Sequence, residues 1–194
     1  MTGSTVQRRE EVLRTAEELF ALRGYHATSV RDIADALNIK GGSLYAHIET
    51  KEDLLWEILG AAADRFFAAA DPIVGSDLIP IEKLRKAIAA HVGVVTRSAS
   101  SASVYSTQWQ HLGEARRRAF AQRRDRYEQT FRSLVRDCIR EGTFADVDEK
   151  FATLLIFSSI NWIYQWYHPD GPMTPEEIAR KLTDMLFNGL RRGA

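Results

Sequence analysis

The sequence predicts an all-α protein. Three observations carry that expectation. No stretch alternates apolar and polar residues with the period of a strand. Apolar residues recur at i, i+3, i+4 and i+7 along most of the chain. Ser or Thr followed three residues later by Asp or Glu marks several helix starts, and glycines mark several ends. About nine helices are expected. Three short ones and the start of a fourth make an N-terminal unit, residues 1–55, and five or so longer ones make the remainder, 56–194.

The elements follow in order. Val12, Leu13, Ala16, Leu19, Phe20 and Arg23 trace one helical face, and Gly24 stands where a left-handed C′ residue belongs. "ATSVRDIADALNI" offers Ser29 as N-cap with Asp32 three residues on, and Ile33, Ala34 and Leu37 as a short apolar face. "NIKGG" is a break, and "SLYAHI" is one more short helix. Thr50 with Asp53 caps a longer helix through "KEDLLWEILGAAADRFFAAA". Asp71–Pro80, "DPIVGSDLIP", reads as a loop with two prolines and a glycine. Helices are then expected through "IEKLRKAIAAHVGVVTRS", around "VYSTQWQHL", and through "EARRRAFAQRRDRYEQTFRSLVRDCIREG". On the last of these Phe120, Tyr127, Phe131, Leu134 and Cys138 share one side. Gly142 closes it. The next helix, Asp148–Tyr167, is apolar almost all round, and "DGPMTP" breaks it. Thr174, Pro175 and Glu177 supply N-cap, N1 and N3 of the last helix, with Ile178, Leu182, Met185, Leu186 and Leu190 as its face.

Composition narrows the function classes. The 194 residues carry 26 basic and 26 acidic side chains. One cysteine, Cys138, excludes an intrachain disulfide and a cysteine-rich zinc site. The polar start "MTGSTVQRREEV" has no secretory h-region, and Ser158, Ser159, Asn161 and Gln165 interrupt the longest apolar stretch, so a cytoplasmic protein without a membrane span is expected. His91, His111 and His168 lack metal-ligand spacing, and no G-x-S-x-G or phosphate-binding loop is present; no metal, cofactor or catalytic residue is expected. Charge is uneven: Glu114–Arg140 holds nine arginines against four acids, whereas the first 56 residues hold seven basic against nine acidic. Bulk charge therefore does not announce a DNA-binding N-terminus.

The N-terminal pattern nonetheless fits a helix-turn-helix, whose second short helix enters the major groove. Gly41 and Gly42 allow backbone to approach a phosphate or base edge closely. Ser43, Tyr45 and His47 are donors spaced over a turn and a half. Lys51 opposes the dipole of the next helix, a conflict that a phosphate would relieve. Arg31 projects from the first short helix and has the reach for a guanine edge. A helical hairpin with ordinary turn glycines and a buried Tyr45 is the alternative.

"TSVRDIADALNIKGGSLYAHIETKEDLL", Thr28–Leu55, resembles the DNA-binding domain of the TetR family of bacterial transcriptional regulators. Thr28, Ile33, Ala34, Gly42, Ser43, Leu44, Tyr45, His47, Lys51 and Leu54 fall on the family pattern. Three positions depart from it: Ile48 replaces a phenylalanine, Asn38 a turn glycine, and Lys40 a capping Ser or Thr. The resemblance implies a repressor bound to a palindromic operator, with DNA contacts from Thr28, Arg31, Lys40, Gly42, Ser43, Tyr45, His47 and Lys51.

It further implies a homodimer through the last two helices and a small-molecule effector pocket in the larger domain. Ile160, Tyr164, Leu182, Met185, Leu186 and Gly189 are the expected dimer residues. Trp109, Tyr127, Phe157, Ser158, Asn161, Trp162, Gln165 and Trp166 are the expected pocket residues, with simple core packing as the alternative for each. "NWIYQWYHPDGPMTPEEIA" is similar to the corresponding segment of TetR regulators that respond to acyl-CoA thioesters. Relatives of that branch often carry arginine where Gln165 stands, so CoA phosphates would fall to Arg116, Arg117, Arg123, Arg124 and Arg126, with a solvated helix face as the alternative for these arginines. A non-CoA aromatic or lipophilic effector is the second expectation; a helical enzyme or structural protein is the distant one.

Overall fold

Local capping sets the helix boundaries in the computed structural model, which describes residues 2–44 and 48–190. Ser29 and Asp32 exchange two bonds: the Ser29 N–H donates to Asp32 Oδ2 at 2.7 Å and the Asp32 N–H to Ser29 Oγ at 3.1 Å. Thr50 with Asp53 and Thr174 with Glu177 repeat the arrangement. Each cap is worth about 1 kcal/mol. Gly24 and Gly142 end their helices at φ 84° and 75°, and Asn38 turns the chain at φ 53°.

The described residues form nine α-helices: α1 (Thr2–Arg23), α2 (Val30–Ala36), α3 (Gly41–Leu44), α4 (Lys51–Val74), α5 (Pro80–Arg97), α6 (Ala99–Thr107), α7 (Glu114–Arg140), α8 (Glu149–Asn161) and α9 (Pro175–Leu190). Two 3-10 turns, Trp109–His111 and Trp162–Gln165, lie between them. No strand occurs among the described residues, so the all-α expectation holds. Two compact units result: Met1–Ala63 with Ser100–Ala121, and Asp64–Ala99 with Gln122–Ala194. α4 and α7 begin in the first unit and end in the second.

In the first unit α1, α2 and α3 enclose a small core of Val12, Ala16, Phe20, Ile33, Ala34 and Leu44, all but lost to solvent. Leu54, Leu55, Ile58 and Leu59 of α4 are equally buried. The 3-10 turn Trp109–His111 and the first turns of α7 belong to this unit too, with Phe120 meeting Tyr105 edge-on at 5.5 Å.

In the second unit α5 lies against α8 and, over its greatest length, α9. Leu84, Ala87, Ile88, His91, Val92 and Val95 form its inner face. Ala152, Ile156 and Ile160 of α8 and Ile178, Ala179, Thr183 and Phe187 of α9 are buried. Arg85 joins α5 to α9, donating to Asp184 at 3.1 Å while its guanidinium lies 5.2 Å from the Phe187 ring.

Two elements differ from the sequence expectation. α4 does not stop before Asp71 but runs through Pro72 to Val74. A proline costs least near a helix end, where few carbonyls lose a partner. Here Gly75 N–H serves Asp71, Ser76 serves Ile73, and Lys83 Nζ serves Val74 at 3.0 Å. α8 ends at Asn161, and Trp162–Gln165 tightens to 3-10. The i, i+3 repeat of a 3-10 turn suits Ile160 and Ile163, both fully buried, and Trp166 and Tyr167 both close on the Ile163 carbonyl.

Candidate DNA interface and effector core

The helix-turn-helix presents one edge made of α2 and the start of α3. Arg31 is 88 % exposed, with Nε 3.7 Å from Asp35 Oδ2. Lys40, Gly41 and Gly42 are exposed beside it. A shallow depression of about 740 Å³ runs along this edge, lined by Val30, Arg31, Asp35, Asn38, Ile39, Lys40 and Gly41. Gly41 and Gly42 have ordinary negative φ, and a Cβ on either would meet nothing within 4 Å. Among the described residues, neither backbone conformation nor packing demands glycine at these two positions. Tyr45 and His47 lie outside the described residues, as does the Ser43 side chain.

Two residues expected on this interface sit elsewhere. Thr28 is fully buried; its hydroxyl donates to the Gly24 carbonyl at 2.9 Å and the Leu19 carbonyl at 3.3 Å, closing the end of α1. Lys51 resolves its conflict with the α4 dipole inside the chain. Its Nζ donates to the carbonyls of Tyr25 and Thr28, both at 2.8 Å, and lies 4.1 Å from the centre of the Tyr25 ring. Partial burial lowers its pKa from the ordinary lysine value. Both support the α1–α2 turn within the chain.

The second unit holds an aromatic cluster around a buried histidine. His91 of α5 is 1 % exposed. Phe66 stacks on it at 4.6 Å, and Tyr127, Phe131 and Phe157 complete the surround at 5.7–6.3 Å. Its Nε2 lies 3.0 Å from Asn161 Oδ1 and its Nδ1 3.3 Å from Tyr127 Oη. An amide oxygen only accepts, so Nε2 carries the proton and Nδ1 accepts from the tyrosine. Burial drives the His91 pKa down to about 3, with the Asn161 bond opposing, so the ring is neutral. Three polar groups thus form a hydrogen-bonded chain inside an apolar shell. Tyr127, Phe157 and Asn161 meet here as one group. His91 joins them unforeseen; its position on the Leu84–Ile88–Val92–Val95 face was the available signal.

The remaining expected pocket residues do not join this cluster. Trp109 belongs to the first unit, tilted against Phe120 at 6.3 Å. Ser158 is exposed on the outer side of α8, and Trp162, Gln165 and Trp166 are exposed beyond the change from α to 3-10 at Asn161. They are corrected from cavity wall to outer face.

That outer face is apolar. Phe151 (70 % exposed), Leu154, Leu155 and Trp162 (60 %) follow it along α8 and beyond, and Met185 (74 %) stands on α9. A groove of about 280 Å³ between α8 and α9 is lined by Leu155, Ser159, Leu182, Met185, Leu186 and Gly189. Ile160, expected at a dimer interface, is instead fully buried within the subunit, and Tyr164 is half-buried beside Trp162 at 6.1 Å. Phe151, Leu154 and Leu155 were missed, although their i, i+3, i+4 spacing opposite Ala152 and Ile156 is legible.

Among the described residues no cluster of His, Cys, Asp and Glu has metal-binding geometry, and no helix is long and apolar enough to cross a membrane. Cys138 is buried and its thiol pushed up to about 12 by burial, so it is inert.

Residues 12–58 match the model of bacterial regulatory proteins of the tetR family, and residues 77–190 that of the tetracyclin repressor-like C-terminal domain. The HTH-type transcriptional repressor KstR2 of Mycobacterium tuberculosis is 30 % identical over 195 residues, covering 99 % of this chain and 97 % of that protein. The solved structure of that organism's ketosteroid transcriptional regulator KstR2 superposes with a TM-score of 0.90 at 30 % identity over 96 % of both chains. AibR, solved in complex with isovaleryl coenzyme A and operator DNA, superposes with a TM-score of 0.85 at 29 % identity over 93 % of this chain and 98 % of its own. The chain belongs to the TetR family of bacterial regulatory proteins: it is a DNA-binding transcriptional regulator, not an enzyme.

Proposed function

We propose that the protein is a cytoplasmic, homodimeric repressor that leaves a palindromic operator when a small hydrophobic effector, such as an acyl-CoA thioester, binds. The observation that carries the DNA interface is the pair Gly41–Gly42. Among the described residues these glycines serve no need of the fold, and they lie on the exposed edge beside Arg31 and Lys40. Bare backbone there lets the recognition helix sit close to the groove wall. With Ser43, Tyr45 and His47 as further contacts, a two-fold dimer would span half-sites roughly 34 Å apart. The α8–α9 groove with Leu182, Met185, Leu186 and Gly189 is the dimer seam in this reading.

The Tyr127–His91–Asn161 chain with Phe157 supports an apolar effector carrying a polar atom, and the isovaleryl coenzyme A complex of AibR supports the thioester class. Effector and operator then oppose one another by linkage, each weakening the other by the same factor. A second reading, a lipophilic effector without CoA, is favoured by the α7 arginines. Arg116 is engaged with Glu52 and Asp53, and Arg123 with Asp64, leaving fewer cations for nucleotide phosphates.

A mobility-shift titration on the promoter beside the gene tests both, challenged with a panel of CoA thioesters and their free acids. Release by a thioester alone supports the first reading, and release by the acid supports the second. A chain that retains no operator overturns the function.

A further inference from the structure

The segment 108–116 grips the helix-turn-helix at two places within the first unit. Arg116 Nη2 lies 2.5 Å from Asp53 Oδ1, and its Nη1 lies 3.6 Å from Glu52 Oε1. The guanidinium stands 5.9 Å from the Trp56 ring. Glu52 Oε1 also accepts the Gly113 N–H at 3.1 Å. These bonds join the first turn of α7 to the first turn of α4. The second grip is on Tyr25. Gln108 Oε1 accepts its N–H at 2.8 Å, and the His111 ring stacks on its ring at 5.8 Å and 10°. Tyr25 in turn carries Lys51 on its carbonyl and its ring.

We infer that Arg116 is a positioning residue for operator binding: by tying the start of α7 to the start of α4 it holds the helix-turn-helix at the angle the operator requires, without touching DNA. Asp53 makes the tie directional. Its Oδ2 is spent on the Thr50 cap, so Oδ1 alone is left to receive the guanidinium. Arg116 therefore pulls on the cap that opens α4, not on a free rotamer. An ion pair this accessible adds little to stability; a forked guanidinium between two carboxylates adds geometric definition. α4 and α7 are also the two helices that continue into the second unit.

The inference rests on the operator-binding reading above. Its test is fluorescence anisotropy on the operator across a salt series, with Arg116→Gln and Glu52→Gln beside the unaltered protein and a thermal melt for each. Arg116→Gln should weaken the operator complex about tenfold and Glu52→Gln less. The slope of log affinity on log salt should not move, and the melts should stay within a few degrees. Unchanged affinity in Arg116→Gln overturns the inference. So does a slope shallower by about one, which would make Arg116 a phosphate contact. A loss of affinity matched by a collapse of the melt also overturns it, by making the role one of stability. Absence of operator binding by the unaltered protein would instead strike the functional reading.

Discussion

A family motif names a residue without saying where its side chain points. Thr28 and Lys51 stand on motif positions, yet both turn inward. Thr28 satisfies the carbonyls at the end of α1, and Lys51 holds the carbonyls of Tyr25 and Thr28. A phosphate contact and a structural bond differ in what salt does to them. Each phosphate neutralised adds about 0.9 to the slope of log affinity on log salt, while a buried hydroxyl bond adds nothing. Thr28→Val keeps the volume and removes the donor. It should lower unfolding free energy in urea by about 1–2 kcal/mol and leave the operator affinity of the folded protein unaltered. A loss of operator affinity with full stability would return Thr28 to the interface. His91 shows the converse: no motif marks it, but Tyr127 and Asn161, both expected as ligand contacts, are held by its two ring nitrogens.

Elements were legible where their causes are local. The three caps, the αL closures at Gly24 and Gly142 and the long face of α7 are all written within a few residues of where they act. The failures are tertiary. Nothing near Pro72 says that Lys83, nine residues beyond Val74, will take the Val74 carbonyl and let α4 pass through. Nothing in "NWIYQWYHPDG" says that Asn161 will be held by His91 and that Ile163 must reach the core, which ends α8 early and turns Trp162 and Trp166 outward. Within α8 itself Ile160 lies on the buried face with Ala152 and Ile156, and Ser158 on the exposed one. Phe151, Leu154 and Leu155 on the outer side of α8 and Met185 on α9 are exposed in the subunit. Met185→Glu should separate the dimer. Sedimentation should shift toward the 22.0 kDa monomer, while monomer stability changes by no more than about 0.5 kcal/mol, as for other exposed sites. A dimer that survives the charge would place the seam elsewhere.

At the scale of the whole molecule, the buried histidine makes stability depend on pH in a range that begins above the carboxylates. His91 has an ordinary value of 6.5 and a folded value of about 3, lowered by burial. Between these values the unfolded chain binds a proton that the folded chain refuses. Stability is therefore full above about pH 6.5 and falls as the pH drops below it, at up to about 1.4 kcal/mol per pH unit. His111 contributes in the same direction, lowered by burial and by the nearby His26 and Lys51. Asp32, Asp53 and Glu149 are held below the usual carboxylate range, chiefly by bonds from Ser29, Thr50 and Arg136 respectively. Their contribution is lost only in more acidic solution, below the ordinary carboxylate values. The histidine window is thus separable. Urea midpoints from pH 7.5 to pH 5 should fall steadily for the unaltered protein. His91→Gln keeps a polar group between Asn161 and Tyr127 but cannot titrate. It should be less stable at pH 7.5 by about 1–3 kcal/mol, yet its curve should flatten by nearly the full slope of one proton. Parallel curves for the two proteins would mean that His91 takes up its proton in the folded state, and that the aromatic shell around it is open to water.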